Sequence, residues 1–330
     1  METKVILKGE GLALGYKKQG KESIIAEEIS FSLEKGKLTC LLGPNGVGKS
    51  TLIKTIMGQI PVLKGEIILS GKAISDYNSK LLAKKIAVVL TDKVALGNLT
   101  VYQLVSLGRI PHTSWLGNLS IQDHEVVERA LAATNTNYLK DKLLSELSDG
   151  QLQKVMIARA LVQDGEVLIL DEPTAHLDLI NRFEIMHLLR RIAQDEGKAV
   201  LVVTHDLDIA IETADEFWLM QCGLPLICGS PEDLIVNKKI DLLLPNDSLK
   251  FDISTGKVQE SKEYTYPKIL GEDKLTRWLK LFIRKNKLEL PADLISLGIT
   301  ETPFLISLNS ENEDFEFTSF NSFLNYFSKS

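Results

Sequence analysis

A glycine-rich segment at residues 43–51 constrains the fold of this chain more than any other part of it. The segment reads Gly-Pro-Asn-Gly-Val-Gly-Lys-Ser-Thr. A mostly apolar run at 37–42 precedes it, and apolar residues at helical spacing follow over 49–59. This pattern predicts a buried strand, a tight turn and a helix. A helix N-terminus offers unpaired N–H groups and the positive end of the helix dipole, so it favours an anion such as phosphate.

The side chains of this segment indicate that the anion is a nucleoside triphosphate. Lys49 adds a positive charge, and Ser50 offers a hydroxyl to Mg²⁺. The glycines let the backbone curl around phosphate without Cβ clashes. A chance glycine-rich turn is the alternative, which the complete spacing between a strand and a helix disfavours. The candidate nucleotide-binding residues are Gly43, Pro44, Asn45, Gly46, Val47, Gly48, Lys49, Ser50 and Thr51.

Two carboxylates follow a second apolar run. Residues 167–170 are suited to a central parallel strand, and Asp171 and Glu172 come directly after them. Open α/β sheets place their ligands at this edge. Asp171 is predicted to hold Mg²⁺, directly or through water, and Glu172 to polarise an attacking water. Surface carboxylates are the usual explanation of an isolated Asp-Glu pair, but here the pair closes an apolar strand.

The segment 147–151, Leu-Ser-Asp-Gly-Gln, predicts another helix N-terminus that faces an anion. Apolar spacing over 152–163 indicates the helix, and Ser148 is a suitable N-cap.

Length and charge limit the classes of function. A chain of 330 residues is long enough for one large domain and a smaller one. Its net charge of −6, without a long basic run, argues against nucleic acid as the main partner. No apolar run approaches the length of a membrane span, and polar residues interrupt 1–16 where a signal peptide would be apolar. We therefore expect a cytosolic protein.

In order and spacing, these motifs resemble the ATP-binding-cassette (ABC) ATPases over about residues 3–236. The loop at 175–178, Ala-His-Leu-Asp, and a histidine at 205 after the apolar run 199–204 belong to the same pattern. The resemblance implies an α/β P-loop NTPase cassette over 1–245. It would have a RecA-like core, an antiparallel β subdomain and a helical subdomain at about 92–160.

The resemblance also implies a role for each motif residue. Glu172 would be the catalytic base, and His205 the switch histidine that touches the γ-phosphate. A structural histidine at a strand end is the alternative for His205. Asp178 would link the two sites of a homodimer.

Other positions would bind ATP. Ser148 and Gly150 would contact the γ-phosphate held by a second copy, with Gln151 as a further candidate beside them. Tyr16 would stack on adenine. A half-buried strand tyrosine is the alternative for Tyr16.

Two positions depart from the family pattern. Thr91 stands where most members carry a glutamine that reaches Mg²⁺, so either Thr91 acts through a water or Asp92 supplies an oxygen ligand. Asp149 replaces the more frequent glycine of the signature motif. Its carboxylate would be unfavourable beside a triphosphate unless the side chain turns outward.

The string at 107–112, Leu-Gly-Arg-Ile-Pro-His, is similar to that of ATPases serving importers of iron–siderophore complexes, haem and cobalamin. Local features alone favour a helix ended by Gly108 and Pro111 with a solvated Arg109. With the cassette, the string implies an energy-coupling ATPase on the cytoplasmic face of the inner membrane. Its partners would be a second copy of itself, a polytopic permease and, indirectly, an external substrate-binding protein. A soluble ABC ATPase in DNA repair or translation and an exporter ATPase are the alternatives.

Beyond residue 250 the resemblance ends, but 12 of the 21 aromatic residues of the chain lie there. Disordered segments lack such a density. Apolar spacing predicts helices after Asp273 and over 320–327, and strands at 304–308 and 315–317. We therefore expect an accessory α+β domain over 246–330.

Overall fold

The computed structural model describes residues 5–18, 21–90, 98–113, 118–244, 248–253, 255–261, 264–291 and 293–327. It divides into two compact units, Met1–Glu260 and Ser261–Ser330. This division falls later than the expected one at 245/246, because residues after 245 still belong to the first unit. Phe251 is buried in the core of that unit, and its backbone N–H donates to the Asp241 carboxylate at 2.9 Å.

The first unit is built on two large sheets, surrounded by helices, and a separate two-stranded hairpin. Its strands are β1 (Val5–Lys18), β2 (Lys21–Glu34), β3 (Leu38–Leu42), β4 (Lys64–Leu69), β5 (Lys72–Ala73), β6 (Ile86–Val89), β7 (Val167–Asp171), β8 (Ala199–Val203), β9 (Glu216–Leu219), β10 (Ile227–Gly229), β11 (Leu249–Asp252) and β12 (Lys257–Glu260). Its helices are α1 (Lys49–Ile56), α2 (Ser79–Ala83), α3 (Val101–Leu107), α4 (Ile121–Ala133), α5 (Asp149–Leu161), α6 (Leu179–Asp195), α7 (Leu207–Thr213) and α8 (Pro231–Val236).

The central sheet has the order β10-β9-β3-β8-β7-β6 and is parallel except for β10. Strands β3 and β8 are buried along their whole length. Apart from Thr39 of β3 they are apolar, because both faces of a parallel sheet are covered. In register, Leu41 and Asp171 both lie beside Val203. Three strands therefore end at one edge of the sheet, and the predicted glycine-rich loop, the carboxylate pair and His205 lie at these ends or just after them.

An antiparallel sheet of order β2-β1-β4-β5 covers one face of the central sheet. Leu7 and Leu12 of β1 belong to the same buried cluster as Leu52 of α1 and Leu201 of β8. This arrangement agrees with the RecA-like core and antiparallel subdomain that the family resemblance implies.

Helices α3, α4 and α5 pack together as a helical subdomain. Each begins with a capping box in which an N-cap hydroxyl accepts from the N3 backbone, as Thr100, Ser120 and Ser148 do. Helix α3 ends at Leu107 as expected. A Cβ on Gly108 would lie 2.2 Å from the Arg159 carbonyl oxygen, so only glycine lets α3 approach α5 this closely.

The local alternative, in which Arg109 is solvated, is wrong. Arg109 is 8% exposed, and its Nε donates to the Asp123 carboxylate at 2.7 Å. Its Nη1 donates to the Val162 carbonyl at 2.8 Å, and His112 Nε2 lies 2.8 Å from the Gln163 carbonyl oxygen. The string at 107–112 thus connects α3, α4 and the C-terminal end of α5.

The second unit is an α+β fold, as predicted. Its elements are β13 (Lys268–Leu270), α9 (Asp273–Asn286), β14 (Leu294–Glu301), β15 (Phe304–Ser310), β16 (Asp314–Phe317) and α10 (Phe320–Phe327). The sheet order is β13-β14-β15-β16, and α9 makes the crossover between parallel β13 and β14. Helix α9 begins at Asp273 itself, with Glu272 as its N-cap, one residue earlier than predicted. The second unit has its own core, in which Leu279, Leu297 and Phe323 are fully buried.

Candidate functional site

The turn between β3 and α1 has the backbone of a phosphate-binding loop. Gly46 and Gly48 have φ values of 81° and 113°, which favour glycine. A Cβ on Gly43 would lie 2.3 Å from the Met220 carbonyl oxygen, and one on Gly48 would lie 2.9 Å from a methyl of Ile25. The glycines are therefore required by both conformation and space.

Lys49 holds its ammonium inside this loop. Its Nζ donates to the carbonyl oxygens of Gly43 at 2.7 Å and Pro44 at 2.9 Å. Burial lowers the pKa of Lys49, and the nearby carboxylates of Glu172 and Asp171 oppose that shift. A buried cation is stabilised by an anion placed beside it, so the loop is suited to a polyphosphate.

A cleft of about 200 Å³ brings most of the predicted loop residues together with the carboxylate pair. It is lined by Ile25, Asn45, Gly46, Gly48, Lys49, Ser50, Thr51, Asp171, Glu172 and Val203. Of the other predicted loop residues, Gly43 and Pro44 supply the carbonyl oxygens that hold Lys49, while Val47 is buried in the core.

Glu172 and His205 meet at the carboxyl edge of the sheet. His205 Nε2 lies 2.7 Å from Glu172 Oε1, within hydrogen-bond distance. Glu172 has a φ of 49°, a strained conformation for a residue with a side chain, and its N–H donates to the Val203 carbonyl at 2.9 Å. The backbone therefore turns abruptly after β7 and directs the Glu172 carboxylate towards both the cleft and His205.

The segment 147–151 forms a separate helix N-terminus. The Ser148 hydroxyl accepts from the Gln151 N–H at 3.3 Å, and the Gln151 side chain accepts from the Ser148 N–H at 3.1 Å. A Cβ on Gly150 would lie 2.5 Å from the Asn181 side chain, so Gly150 is a close contact with α6. Asp149 is exposed, which agrees with a side chain turned outward. None of these four residues lines the cleft of Lys49.

Asp178 is the N-cap of α6. Its carboxylate oxygens accept from the backbone and side-chain nitrogens of Asn181, both at 2.8 Å. The backbone hydrogen bond and then the side-chain hydrogen bond from Asn181 lower the pKa of Asp178. Asn181 therefore touches both Asp178 and Gly150, so it joins the loop 175–178 to the start of α5.

The comparisons with known proteins agree with this geometry. A family model described as ABC transporter matches residues 26–175. The chain is 41% identical over 247 residues to an uncharacterized ABC transporter ATP-binding protein of Methanocaldococcus jannaschii, covering 74% of this chain and 84% of that protein. This chain belongs to the ABC transporter family.

This ABC transporter protein is also similar to an import ATP-binding protein and to a solved structure. It is 41% identical over 204 residues to the iron(3+)-hydroxamate import ATP-binding protein FhuC of Bacillus subtilis, covering 62% of this chain and 74% of that protein. It also resembles the structure of cbiO1 from Clostridium perfringens, part of the ABC transporter complex cbiONQ. That match has a TM-score of 0.63 and 35% identity, and it covers 73% of this chain and 96% of the other. As a member of this family, the protein binds and hydrolyses ATP.

The cleft of this ABC ATPase also fits Mg²⁺. In the parts of the chain that the structure describes, no cluster of three or more His, Cys, Asp or Glu could hold a metal ion by itself. Ser50 and Asp171 line the cleft together, so a cation there would take its remaining ligands from phosphate and water. Mg²⁺ commonly binds in this way. Thr91 and Asp92, the other two candidate ligands, lie outside the described residues.

Tyr16 lies on β1 opposite Ser23 and is 38% exposed. It does not line the cleft, so its stacking on adenine stays a prediction.

The sequence did not indicate Ile25, which lines the cleft, because a strand isoleucine is more often a core residue. It also did not single out Asp206, whose carboxylate accepts hydrogen bonds from Thr174 and Arg182. A carboxylate directly after a strand-end histidine was a usable signal. No described helix has the length and apolar character of a membrane span.

Proposed function

We propose that this protein is the energy-coupling subunit of a membrane importer for an iron–siderophore or related metal-chelate complex such as haem or cobalamin. It works as a homodimer on a separate permease, on the cytoplasmic face of the inner membrane, and an external substrate-binding protein supplies the cargo. The similarity to an iron(3+)-hydroxamate import protein supports the cargo class.

The contact of 2.7 Å between His205 and Glu172, beside the cleft of Lys49, carries the catalytic part of this proposal. Lys49 and the N–H groups of the loop bind the phosphates. Glu172 accepts a proton from the attacking water, and His205 keeps the Glu172 carboxylate and the γ-phosphate in line. Ser50 and Asp171 would hold Mg²⁺, which neutralises charge on the phosphate oxygens when bound.

A second copy completes the site. Ser148, Gly150 and Gln151 lie outside the cleft of their own chain, as they would if they contacted ATP held by a partner. Three large apolar side chains near this helix N-terminus are strongly exposed: Tyr138 at 72%, Leu179 at 66% and Ile180 at 72%. Exposed apolar groups of this kind mark interaction surfaces. Asp178, at the start of α6, lies within the same surface.

A large groove supports the permease as the second partner. It has a volume of about 860 Å³ and includes the apolar residues Ile60, Pro61, Val62, Ile74 and Leu82. Beside it, the turn at 110–112 packs against α2, and Ile110 is 60% exposed. The polar residues of the string 107–112 face inward, so its isoleucine is left on the surface for a partner.

The catalytic assignment is tested by Glu172→Gln. This variant should bind ATP but show no turnover, and should accumulate as an ATP-bound dimer in size-exclusion chromatography. Lys49→Ala should lose ATP binding instead. Retained hydrolysis by Glu172→Gln would refute the role of Glu172 as base.

The importer assignment is tested by affinity purification from detergent-solubilised membranes. Co-purification with a polytopic membrane protein, and metal-chelate uptake that requires Glu172, are expected. Recovery with ribosomes or with DNA would favour the soluble ATPase instead, and efflux rather than uptake would favour an exporter.

A further inference from the structure

Asp206, the residue after His205, connects the segments that follow β7 and β8 to helix α6 at the carboxyl edge of the central sheet. Its carboxylate accepts from the Thr174 hydroxyl at 2.6 Å and from Arg182 Nη1 at 3.1 Å. Its own N–H donates to the Thr204 hydroxyl at 3.0 Å. Thr174 is 2% exposed, so this carboxylate is held against the buried segment that follows Glu172.

Arg182 extends this connection to the loop 175–178. Its Nε donates to the Leu177 carbonyl at 2.8 Å, while Nη1 binds Asp206. The guanidinium is planar and fixed in shape, so one side chain holds the loop and the carboxylate in a set relation. A lysine has only one nitrogen and cannot hold both with the same geometry.

We propose that Arg182 and Asp206 are positioning residues that couple the loop 175–178 to the His205–Glu172 pair. This inference rests on the proposed function, since it takes the loop to be placed by the second copy. The chain that runs from Glu172 into the loop 175–178 has strained backbone at both Glu172 and His176, with φ values of 49° and 65°. The backbone at these two residues therefore has little freedom to absorb a movement of the loop. A shift of the loop moves Arg182 through its hydrogen bond to Leu177, and Arg182 moves Asp206 and the adjacent His205.

The same helix provides a matched control. Arg190 Nη2 binds the Asp215 carboxylate at 3.1 Å, and the side chains are 36% and 22% exposed. The Arg182–Asp206 pair has the same distance, with exposures of 38% and 26%. Asp215 also accepts from the Leu38 N–H at the opposite edge of the sheet, far from His205. The two pairs are equally solvated but differ in their relation to the reacting groups.

The test compares Arg182→Gln, Arg182→Lys and Arg190→Gln in the full-length protein. We measure kcat and KM for ATP, equilibrium ATP binding and the midpoint of thermal unfolding. Arg182→Gln should lower kcat about tenfold to a hundredfold, the size of effect that follows small misplacement of reacting groups, with ATP binding changed less than about twofold. Arg182→Lys should recover part of that loss. Arg190→Gln should shift the thermal midpoint by a similar amount and leave kcat within about twofold.

The pair is then tested as a unit. Arg182→Gln combined with Asp206→Asn should lower kcat no more than the more damaging single substitution, because both break the same connection. Additive losses, or equal kcat values for Arg182→Gln and Arg190→Gln, would overturn the inference. If Arg182→Gln does not fold, Arg182→Lys and Asp206→Asn are compared with Arg190→Gln in the same way.

Failure of the proposed importer function would look different. A wild-type protein that hydrolyses ATP but associates with no membrane protein would refute the importer and leave this comparison valid, because it uses the ATPase activity of the isolated protein.

Discussion

Two glutamates of this protein depend on contacts with residues that are distant in the sequence. Glu172 adopts a backbone conformation that is strained for a side-chain-bearing residue, and such strain costs about 1–3 kcal/mol. The surrounding structure compensates for it through the Val203 hydrogen bond and the His205 contact.

At the opposite edge of the sheet, Glu166 precedes β7 and forms ion pairs with two ammonium groups, one of Lys35 at 2.7 Å and one of Lys85.

Glu166 is expected to make stability depend on acid pH. Partial burial opposes its ionisation, but the hydrogen bonds and charges of Lys35 and Lys85 outweigh burial and lower the pKa of Glu166 to about 2. An ordinary glutamate in the unfolded chain titrates near 4.5. The stabilisation is therefore complete above that value and is lost as the pH falls from 4.5 towards 2. Glu166→Gln should lower the thermal midpoint at pH 7, by a difference that shrinks below pH 4.5.

Glu10→Gln is the control for this prediction, since Glu10 forms an exposed pair with Lys8. Glu10→Gln should change the free energy of unfolding by less than about 0.5 kcal/mol, both at pH 7 and at acid pH. A Glu166→Gln deficit that persists at pH 2 would contradict the electrostatic explanation.

Whole elements are held together by contacts that local pattern does not show. The helical subdomain depends on a glycine that lets α3 approach α5, and on the buried pair that Arg109 forms with Asp123 at the start of α4. Hydrogen bonds from Ser120, and then from Arg109, lower the pKa of Asp123 to about 2, although burial opposes this shift. The Asp123 carboxylate is therefore ionised throughout the neutral range.

Arg109→Ala should destabilise the protein by about 3 kcal/mol, because it leaves the Asp123 carboxylate buried without its cation and the Val162 carbonyl without its donor. Urea unfolding followed by circular dichroism measures this change. Lys140→Ala is the matched control, since its pair with Glu128 spans 3.7 Å and is exposed, and it should cost less than about 1 kcal/mol. Equal costs for the two variants would show that the Arg109 pair does not hold the subdomain together.

At the scale of the whole molecule, each of the two units has its own hydrophobic core. The two core clusters of the first unit include no described residue beyond Phe251. The third cluster lies within the second unit and includes Leu279, Leu297 and Phe323. The hairpin of β11 and β12 therefore belongs to the ATPase unit, and the accessory unit begins after it.

Two truncations test this division. A chain ended at Glu260 should keep ATP binding and a basal kcat within about twofold of the full chain, because its core is intact. A chain ended at Lys250 also loses Phe251, which is 7% exposed, and should unfold more easily by about 3 kcal/mol. Thermal unfolding and ATPase assays distinguish the two. Loss of activity on truncation at Glu260 would show that the second unit is required by the first.

Much of the site was predictable because its motifs are local. A few adjacent residues predict the strand before residue 43, the carboxylate pair at the end of β7 and the Ser148 N-cap. Local features alone misplaced Arg109 because glycine and proline beside it indicate only a helix end, whereas its partners Asp123 and Val162 are distant in the chain. The role of Asn181 was invisible for the same reason, since Gly150 meets it only after α5 and α6 have packed.

The sequence by itself determined that this protein is an ABC ATPase with a phosphate-binding loop, a carboxylate pair and a histidine that follows an apolar strand. These motifs need only their own residue types and spacing. Tertiary structure alone decided that Asp206 and Arg182 join the loop 175–178 to His205, that Arg109 is buried, and that the accessory unit starts after Glu260. Each of these depends on which distant segments packing brings within hydrogen-bond distance, and no local pattern records that.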